Sequence, residues 1–334
     1  MGGGSYSASH YAAHTASKIA AGTTFSYDST ARATGRYTAH ESVDPKKLNA
    51  VGKNIREAFD NPDNPETTPL VVAFDSTGSM RNTPRIVQRK LTTLFGLLVR
   101  KGYLESPAVS VATYGDAYCD RVPLQISQFE ANNAIDDALD NLILEGGGGG
   151  NGYETATLLW YYMNKHVVTD AWNKRGKKGY FFMIADEIAG PLRPEHISEF
   201  IGDEAPAATS LTAEAIAAEL QEKWEVFVLL VDNSTAEWQG SHKFYSQLFG
   251  ANNVVVIEND ENVSELIGAM VGKLENDDLD DDELVDDLVA VGASREAADK
   301  TAKALAKVGG ARVGGSVAVT GLDVPVGAED VTFS

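Results

Sequence analysis

Cysteine, basic charge and long apolar runs are all scarce in this sequence of 334 residues. The single cysteine, Cys119, permits no intramolecular disulfide, which is typical of proteins from a reducing compartment. No run approaches the roughly 18 to 20 apolar residues of a membrane-spanning helix, and the small polar residues 1–5 do not resemble a secretory signal. We therefore expect a cytoplasmic protein with no membrane partner.

Basic residues are outnumbered by acidic ones. The chain has 48 Asp and Glu against 28 Lys and Arg, for a formal net charge of −20. Such a chain repels phosphate, so nucleic acid and anionic membrane are poor candidate partners. The acidity suits cation binding or a basic protein surface, although it can also serve only to keep the protein soluble.

What the chain does contain is a regular alternation of strand-like and helix-like segments. Short apolar runs predict strands at residues 70–74, 108–114, 122–126, 180–185, 226–231 and 254–257. Helical spacing of apolar residues predicts helices at residues 45–60, 84–99, 129–142, 154–168, 211–224, 244–249 and 263–274. The alternation predicts an α/β fold, a doubly wound and mostly parallel sheet flanked by helices.

The composition changes along the chain and suggests three parts. Residues 1–67 are expected to form a partly disordered arm followed by a helix, and residues 68–275 the α/β domain. Residues 276–334 are expected to form an acidic linker, a small helical appendage and a C-terminal tail. The tail from residue 309 is rich in Gly and Val, which suits a strand pair or a loose end.

An aspartate follows the end of four predicted strands, at Asp75, Asp116, Asp186 and Asp232. In a doubly wound sheet, ligands bind beyond the carboxyl ends of the strands, so these acids are expected at the binding edge.

The segment after Asp75 adds hydroxyl groups to this edge. Thr77 and Ser79 follow at the second and fourth positions, and Gly78 between them permits a tight turn. Hard divalent cations prefer oxygen ligands of this kind. The segment therefore predicts a cation site, and the competing interpretation is an ordinary turn that caps a helix.

The sequence VVAFDSTGSM at residues 71–80 resembles the first metal loop of von Willebrand factor A (VWA) domains, whose pattern is Asp-x-Ser/Thr-x-Ser. The resemblance implies a metal-ion-dependent adhesion site that binds Mg²⁺, or else Mn²⁺ or Ca²⁺. Its implied ligands here are Asp75, Thr77, Ser79, Thr155 and Asp186, with Glu154 as the alternative to Thr155. In that family an acidic side chain of a protein partner fills the remaining position on the metal.

Three further segments resemble a bacterial and phage group of cytoplasmic VWA proteins that are often paired with MoxR-type AAA+ ATPases. They are residues 114–121, the glycine run at 146–150, and residues 174–180. This resemblance implies a metal-dependent protein-binding module that acts as an adaptor for an AAA+ ATPase, and not an enzyme.

Three catalytic interpretations compete with a binding module. Residues 183–187 look like a Walker B strand, but no Walker A loop accompanies them. The Asp75 segment also looks like the nucleophile loop of haloacid dehalogenase-type phosphatases, but Thr77 stands where the second aspartate is needed. A Mg²⁺-dependent phosphohydrolase remains the alternative function. No pattern links Cys119 to His166 as a catalytic pair.

Overall fold

The computed structural model describes residues 25–49, 52–80, 82–147, 151–231, 236–257 and 260–305, with a few positions between 6 and 16. Several predicted features lie outside these residues. They are part of the N-terminal arm, residues 148–150 of the glycine run, Asp232 and the tail at 309–334.

Within the described residues, six strands form the central sheet in the order β10-β9-β7-β2-β3-β4. Every neighbouring pair is parallel except β3 and β4, which are antiparallel at one edge. Two further pairs, β1 with β6 and β5 with β8, stand apart from this sheet. The strands are β1 Arg56–Ala58, β2 Thr68–Asp75, β3 Pro107–Tyr114, β4 Leu124–Ile126, β5 Tyr153–Glu154, β6 Val167–Thr169, β7 Gly179–Ala185, β8 Ile188–Ala189, β9 Trp224–Val231 and β10 Val254–Ile257.

Helices surround the sheet, and among those that the structure describes none has the length and apolar character to span a bilayer. The helices are α1 Ser26–Thr34, α2 Thr83–Phe95, α3 Ala134–Asp140, α4 Ala156–His166, α5 Asp170–Arg175, α6 Pro194–Phe200, α7 Ala213–Lys223, α8 Ala236–Phe249, α9 Val263–Glu275, α10 Asp281–Ala290 and α11 Arg295–Leu305. A π-helical turn, Gly96–Arg100, extends α2.

The central strand β2 shows why the sheet is covered on both faces. All eight of its residues are buried, and successive side chains of a strand point to opposite faces. Leu70, Val72 and Phe74 belong to one hydrophobic cluster, shared with α2, α9, α10 and α11. Val71 and Ala73 belong to a second cluster, shared with α4, α6, α7 and α8. The predicted mostly parallel, doubly wound α/β architecture is confirmed.

The helix predicted at residues 45–60 is wrong. The described part of this segment forms turns and β1, which pairs in parallel with β6. The buried guanidinium of Arg56 donates hydrogen bonds to the backbone oxygens of Asp44 (2.6 Å), Lys47 (3.2 Å) and Ile126 (3.1 Å). These long-range contacts satisfy a non-helical backbone, which helical spacing in the sequence does not reveal.

Several helices begin at residues other than the predicted ones. Helix α3 starts at Ala134 because a backbone bridge between Glu130 and Val109 keeps the preceding residues extended. Helix α4 starts at Ala156 because Glu154 is held in β5 beside β8. Helix α8 begins at Ala236, eight residues before the start predicted from 244–249.

The C-terminal helices pack onto the central core. Leu284 and Leu288 of α10 and Ala298 of α11 belong to the same cluster as β2 and α9. The side chain of Asp280 caps α10 by accepting a hydrogen bond from the backbone nitrogen of Glu283 (2.7 Å), and the acids of the first turn suit a helix N-terminus. The division of the chain into parts at 67/68 and 275/276 stays a prediction.

Candidate metal centre

Strand register brings two of the predicted ligands to neighbouring strand ends. Asp75 is the last residue of β2, and Asp186 directly follows β7. Because Phe74 pairs with Ile184 in the parallel register of these strands, the two aspartates leave the sheet side by side. Both side chains are buried, each about 1 % exposed.

The first loop, residues 75–80, turns its polar atoms into this edge. The backbone nitrogen of Thr77 donates to Asp75 Oδ1 (2.7 Å), and the hydroxyls of Thr77 and Ser79 lie 3.2 Å apart. Asp75 Oδ2 is buried and has no hydrogen-bond partner among the described residues. The loop therefore presents one uncompensated carboxylate oxygen next to a pair of hydroxyls.

The described part of the second loop, residues 145–147 and 151–155, includes glycines that lie directly against the first loop. The backbone nitrogen of Gly78 donates to Gly147 O (2.7 Å), and that of Gly146 donates to Ser76 O (3.2 Å). A Cβ atom at position 78 would stand 3.0 Å from Gly146 O, which is closer than side chains normally come to backbone. Glycine at 78 therefore permits the two loops to meet backbone to backbone.

The two second-loop candidates, Glu154 and Thr155, lie in different surroundings. The Thr155 hydroxyl accepts a hydrogen bond from the backbone nitrogen of Ala117 (3.0 Å) and lies 3.5 Å from Asp116 Oδ1. The carboxylate of Glu154 is buried, and its Oε2 has no hydrogen-bond partner in the described part of the chain. Thr155 is thus engaged by a neighbouring loop, whereas Glu154 retains an unused oxygen.

Burial and mutual repulsion make this edge unfavourable for negative charge. Burial raises the pKa of Asp75 well above its usual range, and the nearby Asp186 raises it further. Burial, together with Asp75, raises the pKa of Glu154 to about 10. A divalent cation would offset this repulsion, because it favours the ionised form of each carboxylate.

Two buried tyrosines line the same region without neutralising it. The Tyr114 hydroxyl donates to Ile184 O (2.7 Å), and the Tyr245 hydroxyl donates to Glu187 O (2.8 Å). Burial raises the pKa of both phenols, and the charges of Asp75 and Asp186 add to the effect. Both phenols therefore stay protonated. Tyr114 binds the end of β7, and Tyr245 binds the start of the third loop, which comprises residues 186–193. Sequence reasoning missed both residues, because nothing in the local pattern marks them.

The donor set fits a hard divalent cation. All candidate atoms are oxygens, and Asp75 Oδ2 and Glu154 Oε2 are buried without a hydrogen-bond partner among the described residues. Within those residues, no group of three or more His, Cys, Asp or Glu side chains is arranged to hold a cation. Hydroxyl oxygens are therefore needed to complete a coordination shell, as Thr77 and Ser79 would do.

Asp116, another of the strand-end acids, lies in different surroundings from Asp75 and Asp186. It is fully buried and accepts hydrogen bonds from the backbone nitrogen of Tyr118 (2.9 Å), Asn151 Nδ2 (2.7 Å) and Cys119 Sγ (3.3 Å). Residues 114–121 are called the tyrosine loop. The carboxylate of Asp116 connects this loop to the second loop through hydrogen bonds. Asn151 was not singled out by the sequence pattern.

Cys119 is expected to react slowly with thiol reagents although its side chain is exposed. The sulfur atom itself is partly buried. This partial burial, the hydrogen bond to Asp116 and the charge of Asp120 raise the pKa of the thiol to about 12. Because only the thiolate reacts, we expect modification by a chromogenic disulfide at about pH 8 to be at least tenfold slower than in the denatured chain. Equal rates in the native and denatured chain would show that the thiol is not held in this way.

The strand order, the helical layers on both faces and the acids at the strand ends define an α/β protein of the VWA/Rossmann-like type. No protein-family model and no curated protein matches the chain.

Several solved structures align with part of the chain. Proximal thread matrix protein 1 from the mussel byssus aligns with a TM-score of 0.43 at 11% identity, over 62% of this chain and 48% of that chain. A second structure of that protein, with a zinc-occupied MIDAS motif, aligns with a TM-score of 0.40 at 12% identity, over 62% and 45%. The pilus adhesin SpaC from Lactobacillus rhamnosus GG aligns with a TM-score of 0.42 at 12% identity, over 68% and 31%. This chain spans less than half the length of each of these proteins.

Proposed function

We propose that this chain is a divalent-cation-dependent protein-binding module. The observation that carries the proposal is the pair of buried carboxylate oxygens, Asp75 Oδ2 and Glu154 Oε2, that lack hydrogen-bond partners among the described residues. The loop of Asp75 also carries the hydroxyls of Thr77 and Ser79, which lie 3.2 Å apart. Burying an ionised carboxylate without compensation is costly, so such atoms call for a cation. The zinc-occupied MIDAS motif named for the mussel protein agrees with this proposal.

The proposed ligands are Asp75, Thr77, Ser79 and Asp186, together with one residue of the second loop. We favour Glu154 over Thr155, because the Thr155 hydroxyl already accepts a hydrogen bond from Ala117. The acids do not converge as a group of three, so Glu154 would approach the cation by rotating its side chain. Mg²⁺ is the proposed cation, with Mn²⁺ and Ca²⁺ as alternatives, since all of them accept oxygen ligands.

When bound, a divalent cation supplies an electrophilic position that a carboxylate from another molecule can fill. The chain's own residues prepare that position. The Thr77 backbone fixes one oxygen of Asp75 by a hydrogen bond, which leaves the other free to bind. Burial of Asp75 and Asp186 strengthens their attraction to a cation, because the surroundings have a low effective dielectric constant. The proposed partner group is therefore an Asp or Glu side chain of a protein.

A narrower proposal concerns the identity of the partner. The resemblance at residues 114–121, 146–150 and 174–180 suggests a MoxR-type AAA+ ATPase, for which this chain would be an adaptor in the cytoplasm of a bacterium or in a phage system. We propose binding and not catalysis, because Thr77 occupies the position where a phosphatase of the haloacid dehalogenase type needs an acid.

The proposal is tested by capturing partners on the immobilised chain from an extract of the source cell. Wild type is compared with Asp75→Asn, in Mg²⁺ and in EDTA. We expect wild type in Mg²⁺ to retain a partner at least tenfold more strongly than wild type in EDTA or the variant in Mg²⁺. The control is Asp63→Asn, which removes the same charge at an exposed position before β2.

Two results would contradict this function. A partner retained equally in EDTA and by Asp75→Asn would show that no cation takes part. Phosphatase or ATPase turnover that disappears in Asp75→Asn would favour the phosphohydrolase instead. Partner capture and turnover are measured on the same preparations. A variant that has lost secondary structure in these preparations is recognised as unfolded.

A further inference from the structure

Two exposed arginines at the carboxyl-end edge of the sheet are stacked on tyrosines. The guanidinium carbon of Arg193 lies 4.7 Å from the ring centre of Tyr118, and that of Arg121 lies 4.5 Å from the ring centre of Tyr37. Both arginines are exposed, and both tyrosines are partly buried. We call these two pairs the arginine–tyrosine stacks.

The stacks lie beside the candidate metal centre. Tyr118 and Arg121 belong to the tyrosine loop, which leaves the sheet where Tyr114 pairs with Asp75. Arg193 ends the third loop, which starts at Asp186 and includes β8, the strand paired with β5 and so with Glu154. The Arg193 stack is therefore attached to the third loop, which begins at Asp186. The Arg121 stack is attached to the tyrosine loop, which is hydrogen-bonded to Asn151 and Thr155 of the second loop.

The stack at Arg193 has little freedom to move. The Tyr118 hydroxyl donates to Pro191 O (3.1 Å), and the backbone nitrogen of Tyr118 donates to Asp116. The Tyr118 ring also contacts His196, with ring centres 4.5 Å apart. A guanidinium held on such a platform loses less conformational entropy when it binds, since its plane is already oriented.

In the described part of the chain, each of the two guanidinium groups lies on the ring of a tyrosine. Some other described basic residues form ion pairs, such as Arg89 with Glu261 and Arg295 with Asp286. No ion pair within the described residues includes Arg121 or Arg193. A guanidinium binds a carboxylate through two parallel hydrogen bonds, so each stack offers a prepared carboxylate site.

We propose that the arginine–tyrosine stacks bind additional acidic side chains of the same partner segment whose carboxylate reaches the cation. This inference rests on the proposed function. The occupant is an acidic peptide segment of a protein partner that carries more than one Asp or Glu. The metal centre then takes one carboxylate, and the stacks select segments with further acids around it.

A nucleic acid is the competing occupant, because stacked arginines also bind phosphates and bases. The charge of the chain argues against it. With a net charge of −20 and buried carboxylates next to the stacks, a phosphate backbone is repelled over its length, whereas a short acidic segment needs only a few contacts.

The test uses two fluorescein-labelled peptides of Gly and Ser, one with a single Asp and one with three. Binding to the full chain is measured by fluorescence anisotropy in Mg²⁺ and in EDTA. We expect wild type to bind the three-Asp peptide about tenfold more tightly than the single-Asp peptide. In the double variant Arg121→Gln with Arg193→Gln, this preference falls to about twofold or less, as expected when exposed ion pairs are lost.

Matched variants separate the stacks from general electrostatics. Arg295→Gln removes the same charge at the start of α11, outside the loops of the metal centre, and should leave the preference unchanged. Tyr118→Leu keeps the charge of Arg193 but removes its platform, so it should weaken the preference about as much as Arg193→Gln alone. Tyr118→Phe keeps the ring and should retain most of it. Circular dichroism checks that each variant is folded.

The outcomes distinguish this inference from the proposed function. If binding needs Mg²⁺ but the three-Asp preference survives the double variant, the stacks are not the selecting site and the proposed function stands. If the preference depends on the arginines while binding ignores EDTA, the stacks bind acids and the proposed function fails. Failure of both peptides to bind, or tighter binding of a single-stranded oligothymidylate, overturns the inference.

Discussion

Mg²⁺ is expected to raise the melting temperature of wild type and to leave that of Asp75→Asn unchanged. A ligand at about a hundredfold excess over its Kd adds about 2.7 kcal/mol to the free energy of unfolding. For a chain of 334 residues that corresponds to a rise of roughly 4 °C. The variant lacks the carboxylate that both the first-loop turn and the cation need. Differential scanning fluorimetry measures both.

In EDTA, Asp75→Asn should have a higher melting temperature than wild type. Burial and Asp186 raise the pKa of Asp75, so the ionised side chain destabilises the fold at neutral pH. Asp75→Asn removes this charge and should melt above wild type in EDTA. The control Asp63→Asn should follow wild type in both conditions. A Mg²⁺-dependent rise in Asp75→Asn equal to that of wild type would place the cation elsewhere.

The stability of wild type in EDTA is expected to fall as the pH rises, and Glu154→Gln should flatten this dependence. The unfolded Glu154 carboxyl loses its proton near 4.5, whereas in the fold its pKa is raised to about 10 by burial and by Asp75. The folded state therefore binds more protons in that window, and the free energy of unfolding decreases with pH. One group contributes at most about 1.4 kcal/mol per pH unit, or about 4 kcal/mol between about pH 6 and about pH 9.

Urea unfolding at a series of pH values measures this dependence. Mg²⁺ should reduce the slope for wild type, because a cation stabilises the ionised carboxylate. Glu41→Gln, an exposed acid paired with Lys47, is the matched control and should keep the wild-type slope. A wild-type stability that rises with pH in EDTA would contradict the proposed repulsion between Glu154 and Asp75.

The six strands of the central sheet were predictable because each is a short apolar run closed by a polar residue. The β2 run ends at Asp75 and the β7 run at Asp186, so both the sheet and its acidic edge follow from local pattern. Helix boundaries were harder, because tertiary pairing overrides local preference. Glu154 has helical neighbours in sequence, but its pairing with Ala189 in β5 and β8 keeps it extended.

Other parts of the site depend on contacts between distant residues. The Arg193 stack joins residues 75 positions apart, and no pattern in either segment indicates the other. The same is true of Tyr245, whose hydroxyl reaches the third loop from α8. The choice between Glu154 and Thr155 is also a matter of packing. The two residues are adjacent, and only the position of Ala117 shows that the threonine hydroxyl is engaged.

The backbone contact between Gly78 and Gly147 has a consequence for transplanting this centre into another scaffold. The short motif of residues 75–80 carries most of the recognisable ligands. Its Gly78 packs against the backbone carbonyls of Gly146 and Gly147 at the start of the glycine run. A graft of the motif alone would leave that side of the motif exposed to solvent and the turn without its support. The unit that must be transferred is therefore the pair of loops together.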